Sequence, residues 1–356
     1  MTLRDEVELL KALVAVPSVS GTEDAIARMV EETARGFGLD VVRDDTGVKI
    51  LVETGRPGRS LALISHLDVV PPGEGWTRDP FTPIIEGGLL YGRGSGDAKA
   101  SVAAMLLASL DFAEHRGVEI GGTLMVVLGL GEETKNTTMG RAVSSLPPIT
   151  AAIVGEPTNL DIAIAQRGLM MVDLVARGDQ RHAGYAAEGD FTNAITRLAA
   201  DLVKLPSLCQ ERNHSILGRT TITATMVEAG VSRNVTPPSA KAVLDIRSTP
   251  SWDHPEIGAA MRAALDCDVV VTSERLVPCE TPAGSRVLAA AQRVNPAART
   301  FGSPTCSDWV FVRQADAIKC GPGTSRRSHT ADECVDLSEV TQARRFYCAL
   351  AEEYLK

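Results

Sequence analysis

Apolar positions near the start of the chain recur at helical spacing. Val7, Leu10, Leu13 and Val14 form one stripe, and Ile26, Met29, Val30 and Phe37 form a second, opened by Ser20 or Thr22 as cap. Two short apolar segments, 41–43 and 48–52, flank Asp44-Asp45-Thr46-Gly47 and predict a hairpin. Three continuous apolar runs follow, 61–64, 124–128 and 151–154, of the kind that forms strands buried on both faces. A helical pattern over 99–114 lies between the first two, which is the alternation of an α/β domain.

Each of these runs leads directly into acids or a histidine. The first is followed by His66 and Asp68, the second by Glu132 and Glu133, and the third by Glu156. Sites in open α/β sheets form beyond the carboxyl ends of the strands, so separate strands deliver these side chains to one edge.

The texture changes after Gly168. A strand at 170–176, a helix at 193–205, strands at 220–226 and 240–246, a helix at 255–265 and a strand at 269–272 give β-α-β-β-α-β, the ferredoxin-like split unit. The α/β texture then resumes with a strand at 317–320 and a closing amphipathic helix at 337–355. The expected fold is therefore a mixed-sheet α/β catalytic domain with helices on both faces, formed by residues 1–167 and 275–356. A ferredoxin-like βαββαβ domain, 168–274, is inserted into it. The loop 71–83 is rich in Pro and Gly but holds Trp76 and Phe81, so it reads as an ordered wall.

Composition narrows the function. The 356 residues carry a net charge of -9 with no basic run, and aromatics make up only 4%, which leaves nothing to neutralise phosphates or stack bases. The longest apolar stretches are too short to span a bilayer, and the polar N-terminus does not read as a signal peptide. The 7 cysteines are odd in number and include no CxxC pair, which argues for a reducing, cytoplasmic setting. Cys320 reads as core, and Cys306 sits in a loop that can line a pocket.

Without thiolate ligands, histidine nitrogen and carboxylate oxygen suit zinc, with one position left for water. A second ion needs a bridging carboxylate. Asp97 fits, at the end of Gly92-Arg93-Gly94-Ser95-Gly96-Asp97, where glycines allow close backbone approach. Asp68 lies two residues after His66, on the same face of a strand end, where it can accept the other ring N–H of His66. Of Glu132 and Glu133, which point in different directions, one can bind metal while the other takes a proton from water. His329 closes a loop that follows a strand to the same edge; His115, His214 and His254 read as structural.

These residues resemble the dizinc aminoacyl hydrolases, the family of acetylornithine deacetylase, succinyl-diaminopimelate desuccinylase, acetyl-lysine deacetylase, aminoacylase and glutamate carboxypeptidase. The resemblance runs through Ser65-His66-Leu67-Asp68, Trp76, Asp79-Pro80-Phe81, Leu90-Tyr91-Gly92-Arg93-Gly94 and Asp97-Ala98-Lys99. It continues in Gly131-Glu132-Glu133-Thr134, Gly155-Glu156-Pro157-Thr158, Gln166-Arg167-Gly168, Asn193-Ala194-Ile195, Asn234-Val235, Asp245-Ile246-Arg247, Ser307-Asp308, His329 and Asp332-Glu333. It implies two zinc ions, with cobalt or manganese as substitutes. Asp97 bridges, His66 and Glu156 complete one site each, Glu133 and His329 are shared out between them, and Glu132 is the base. It also implies that the inserted domain is a lid that dimerises. His182 of the lid reaches the partner subunit's site, and Asn234 and Arg247 hold the substrate carboxylate, a task suited to an arginine fork.

The sequence departs from the family at Asp97-Ala98-Lys99-Ala100, where Asp-Met-Lys-Gly is usual, and at 185–191 after His182, where the family has a proline. The stretches 302–308 and 321–333 look most like the acetylornithine deacetylases. The expected reaction is deacetylation of N-acetylornithine or a close relative such as N-acetylcitrulline or N-acetyl-lysine. Desuccinylation of succinyl-diaminopimelate is the first alternative, because Arg326 and Arg327 can pair with a second carboxylate. A dipeptidase or carboxypeptidase is another. A non-catalytic binder of amino-acid derivatives is the last, and it would have no use for Glu132.

Overall fold

The computed structural model describes residues 3–186, 190–210 and 212–356. The chain forms two compact units. One comprises Met1–Ile164, Thr281–Phe301 and Ser307–Lys356; the other comprises Ala165–Glu280 and Gly302–Cys306.

The first unit is built on a mixed sheet. Its strands lie in the order Asp40–Asp44, Gly47–Glu53, Thr123–Gly129, Ser60–His66, Ala151–Val154, Asp316–Lys319 and Ile162–Gln166. The hairpin joins Asp44 to Gly47 as the turn residues predict. Thr123–Gly129, Ser60–His66, Ala151–Val154 and Asp316–Lys319 run parallel to one another. All seven residues of Ser60–His66 are buried, as expected of a strand covered on both faces. The helix Lys99–His115 is apolar almost all round, and it packs on that strand, on the helix Glu6–Val14 and on the closing helix Leu337–Leu355. This places it in the core, with Phe112 fully buried.

Helix starts show where local chemistry and tertiary contacts compete. Asp5 caps the first helix by accepting from the amides of Val7 and Glu8. The second helix, Asp24–Gly36, has no side-chain cap, so the expectation of Ser20 or Thr22 in that role is corrected. The Ser20 hydroxyl donates instead to Asp68 Oδ2 at 2.7 Å, and Thr22 donates to the Val19 carbonyl. The charge-assisted bond to a buried carboxylate is the stronger of the two options for Ser20.

A small three-stranded sheet, Cys334–Asp336, Leu89–Tyr91 and Ile84–Glu86, has no counterpart in the sequence reading. The wall loop is ordered: Trp76 donates to the Pro72 carbonyl, and Thr77 bonds Asp332 through both its amide and its hydroxyl.

In the second unit the strands Thr221–Ala229, Ser239–Ser248, Gly168–Arg177 and Asp268–Leu276 lie in that order, all antiparallel. With the helices Ala194–Leu208 and His254–Ala264, this is the split β-α-β arrangement. Alternating residues Met170, Val172, Leu174 and Ala176 face a core shared with Leu198, Ile257 and Met261. His254 is buried and bonded to Ser248, a structural histidine as expected. None of the cysteines is in a disulfide, Cys320 lies in the core, and Cys306 is half-buried. No helix among the described residues is long and apolar enough to cross a membrane.

Phe112→Ala should cost about 3–5 kcal/mol, because the rigid sheet and the two flanking helices leave little room for collapse into the cavity. Urea denaturation followed by circular dichroism measures this loss.

Candidate metal centre

The parallel strands end at one edge, and the candidate ligands gather there. His66 is the last residue of Ser60–His66, and Glu156 lies just past Ala151–Val154. Cross-bonds fix the two strand ends together: Gly155 N donates to the Ile64 carbonyl at 2.7 Å, and the Ser65 hydroxyl donates to the Gly155 carbonyl at 3.0 Å. Glu132 and Glu133 follow Thr123–Gly129, Asp97 precedes Lys99–His115, and His329 ends the loop after Asp316–Lys319.

His66 Nε2 lies 3.5 Å from Asp97 Oδ1 and 3.8 Å from Glu156 Oε1. His329 Nε2 lies 3.6 Å from Asp97 Oδ2 and 2.9 Å from Glu133 Oε1. Asp97 thus faces one imidazole with each oxygen, the disposition a bridging carboxylate needs. His66, Asp97 and Glu133 each offer a ligand atom within 4.8 Å of the others.

Asp68 does more than expected. The nearest partner of His66 Nδ1 is the Asp68 backbone carbonyl at 3.0 Å, with the carboxylate Oδ1 farther off at 3.5 Å. The carboxylate itself accepts from the Glu132 amide on Oδ1 and the Glu133 amide on Oδ2, each at 3.0 Å, besides Ser20. Glu23 accepts from the Gly131 amide at 3.1 Å. Successive amides of the loop that carries Glu132 and Glu133 are therefore held by Glu23 and Asp68.

The electrostatics of the protein's own groups point to a cation. Burial opposes ionisation of Asp68, yet the His66 hydrogen bond and charge hold it down at about 2. Burial also opposes ionisation of Asp97, but His66 keeps that carboxyl low. Glu156 is pushed up to about 8 by burial and by the charge of Asp97. Asp308 is pushed up to about 7 by burial. Glu132 is driven well above the usual carboxylate range, first by desolvation and then by Glu156, Asp308 and Glu133 against the pull of His66. Glu156 Oε1 is buried without a hydrogen-bond partner. Orphaned lone pairs on crowded buried acids are costly unless a positive ion meets them, and this nitrogen and oxygen set suits zinc, cobalt or manganese. The residues fit a metal centre.

The other predicted site residues belong to the second unit. His182 is exposed; its Nδ1 accepts from the Gly184 amide at 3.1 Å, and its ring meets Tyr185 edge-on at 5.8 Å. Asn234 lies alongside it in the chain fold, its carbonyl accepting from the Ala183 amide at 2.8 Å. The Arg247 fork closes on Asp245, with bonds of 2.7 and 3.0 Å. Part of the altered stretch after His182, residues 187–189, lies outside the described residues.

Sequence reasoning assigned no role to Glu23, Asn136, Asp308 or Glu333. Asn136 donates to Asp308 at 3.0 Å, and both are buried beside the centre. Asp308 and Glu333 fall in stretches that carry the resemblance, but their contacts depend on burial, which cannot be read from one sequence.

A centre of this composition on this fold defines a metal-dependent amidohydrolase. The chain belongs to peptidase family M20/M25/M40, whose model matches residues 62–353. It is 30% identical over 381 residues to the succinyl-diaminopimelate desuccinylase of Xanthomonas euvesicatoria pv. vesicatoria, covering 99% of this chain and 100% of that protein. The aminopeptidase PepT from Bacillus cereus has the same fold, with a TM-score of 0.81 at 21% identity over 99% of this chain and 98% of its own. A dinuclear metal-binding peptidase of the M20 family from Bacillus subtilis has a TM-score of 0.74 at 15% identity, over 98% and 96% of the two chains.

Asp68→Asn replaces an acceptor oxygen with an amide donor that faces either the Glu132 or the Glu133 N–H. Metal affinity should fall about 10- to 100-fold, the usual cost of losing an outer partner of a ligand. Competition with a chromogenic chelator reads this directly.

Proposed function

We propose that the enzyme hydrolyses the amide bond of an N-acyl amino acid, with two zinc ions at the centre and Glu132 as general base. Asp97 would bridge, His66 and Glu156 would complete one site each, and Glu133 and His329 would be shared out between the two. The observation that carries this reading is the division of labour between adjacent acids. Glu133 is turned onto His329, while the Glu132 carboxylate has no hydrogen-bond partner among the described residues. When bound, zinc polarises the acyl carbonyl and lowers the pKa of water towards neutrality.

Glu132 takes the proton of the attacking water and passes it to the amine as the C–N bond breaks, giving a carboxylic acid and a free amino acid. Asp68 keeps the Glu132 backbone fixed through that exchange, so the carboxylate swings without dragging Glu133 off its partner. His182, from a second subunit, would steady the oxyanion. Asn234 and Arg247 would take the substrate carboxylate, with Arg247 giving up Asp245 to do so.

The leading substrate is N-acetylornithine or a close relative, N-acetylcitrulline or N-acetyl-lysine, on the strength of the likeness in 302–308 and 321–333. Desuccinylation of succinyl-diaminopimelate is the second reading, favoured by the names of the relatives and by the exposed Arg326. A cytoplasmic setting accords with cysteines held in no disulfide.

Dimerisation through the second unit is supported by its exposed edge strand, which presents Met226 and Val227, each 57% exposed. Sedimentation of the purified protein should show a dimer; a monomer at every concentration would remove the step given to His182.

Turnover of a panel holding the acetylated amino acids, N-succinyl-diaminopimelate and several dipeptides, with and without chelator, should show a chelator-sensitive preference for one acetylated basic amino acid. A preference for the succinyl compound would select the second reading, and activity on dipeptides alone would move the enzyme to the peptidases. Glu132→Gln should lower kcat about a hundred- to ten-thousand-fold while metal content stays unchanged. Normal turnover in that variant would sink the base assignment.

A further inference from the structure

Glu333 lies directly before the strand Cys334–Asp336, on the segment that begins at His329. Its side chain is buried, as is that of Arg93. Oε1 accepts from the amides of Gly96 and Asp97, each at 3.0 Å. Oε2 accepts from Arg93 Nη1 at 2.6 Å and from the Gly94 amide at 3.2 Å. Its carbonyl accepts from the Gly92 amide at 2.9 Å. Every stretch of the loop that delivers Asp97 is tied to this one residue.

Both carboxylate oxygens are occupied by donors, so Glu333 has nothing left to offer an ion. Its charge is met by Arg93, which is itself held by the Pro72 carbonyl and lies over the Trp76 ring at 5.1 Å. The loop is also held by the Arg93 amide on the Pro80 carbonyl at 2.8 Å and by the Lys99 amide on the Gly94 carbonyl at 2.9 Å, while the Asp97 amide itself is bonded by Glu333. Gly94 takes φ +82°, where a Cβ would stand 2.5 Å from Val69 Cγ1, so no side chain can brace the loop from within. At the other end of the same segment, His329 faces Asp97 Oδ2.

We infer that Glu333 is a positioning residue for the metal centre: it fixes the backbone of Asp97 against the segment carrying His329, and so sets the span over which the bridging carboxylate must reach two ions. The inference rests on the dinuclear reading given above. Glutamine at 333 cannot reproduce this clamp. Whichever way its amide turns, its NH2 group faces N–H donors in place of an acceptor, and two of the four donors lose their partner. The loop then relaxes, and the carboxylate of Asp97 no longer meets both imidazoles.

The test is calorimetric titration of the metal-free full-length protein with zinc, for wild type, Glu333→Gln and Arg344→Met. Arg344 pairs with Asp111 and Glu6, and its loss serves as a destabilised control outside the centre. Wild type should take up two ions. Glu333→Gln should hold one of them at least tenfold more weakly, with kcat lowered and recovered in excess zinc. Arg344→Met should lose thermal stability and keep both affinities. Wild-type affinities for both ions in Glu333→Gln would overturn the inference, as would an equal weakening in Arg344→Met. Uptake of fewer than two ions by wild type would instead overturn the dinuclear reading beneath it. Should Glu333→Gln not fold, Glu333→Asp, which keeps the charge but withdraws the oxygens by one methylene, gives the same comparison.

Discussion

Negative charge packed into a buried edge is the constraint that orders this molecule. Carboxylates removed from water repel one another and lose hydration, so each needs donors or a cation. The acids at this edge differ in how that need is met. Asp68, Glu23 and Glu333 are bonded on both oxygens by backbone amides, a hydroxyl or a guanidinium. Glu156 keeps an orphaned oxygen, and Asp97 and Glu133 face imidazoles across 2.9 to 3.6 Å. The saturated acids shape the backbone, and the unsaturated ones, Glu156 among them, are the acids open to an ion.

The scaffold acids work because the sheet presents its loops in fixed register. Ser60–His66 pairs in parallel with strands on both sides, which brings the segments following each strand to the same level. The largely apolar helix Lys99–His115, packed on Ser60–His66, then fixes Asp97 from the other direction. Lys99, at the first turn of that helix, is buried and donates to the carbonyls of Leu13 and Val16, which anchors the helix start to the end of the first helix. The same packing that stabilises the domain therefore sets the height of Asp97.

Much of this was legible in the sequence. Apolar runs of strand length ending in His66, Glu132-Glu133 and Glu156 are local signals, and period, turn chemistry and terminal acids agree there. The β-α-β-β-α-β order of the second unit was legible for the same reason. What escaped was non-local. Ser20 satisfies a capping pattern, and nothing nearby in sequence shows that Asp68 competes for its hydroxyl. Glu333 lies far along the chain from Asp97, and the small sheet that joins them rests on strands of three residues, too short for a periodic pattern to register. Arg93 reads as one more charged loop residue until its ion pair is seen to be buried.

The adjacency of Glu132 and Glu133 asks for a loop that is both tight and immobile. Neighbouring side chains diverge, so one carboxylate can turn to a metal while the other stays free, but only if the backbone between them cannot rotate. Gly131 supplies the turn with φ 67°, and Asn136 closes it with φ 43° while its amide bonds the Gly131 carbonyl. Asp68 then takes both glutamate amides on one rigid carboxylate. His329 answers from the opposite side in the left-handed region, at φ 64°, a conformation that costs a residue with a Cβ about 1–3 kcal/mol. That cost persists because releasing it would carry the imidazole away from Glu133 and Asp97. Strain on one flank and bonded amides on the other hold the backbone, while the Glu132 carboxylate keeps no hydrogen-bond partner among the described residues, which is what the proposed base would need.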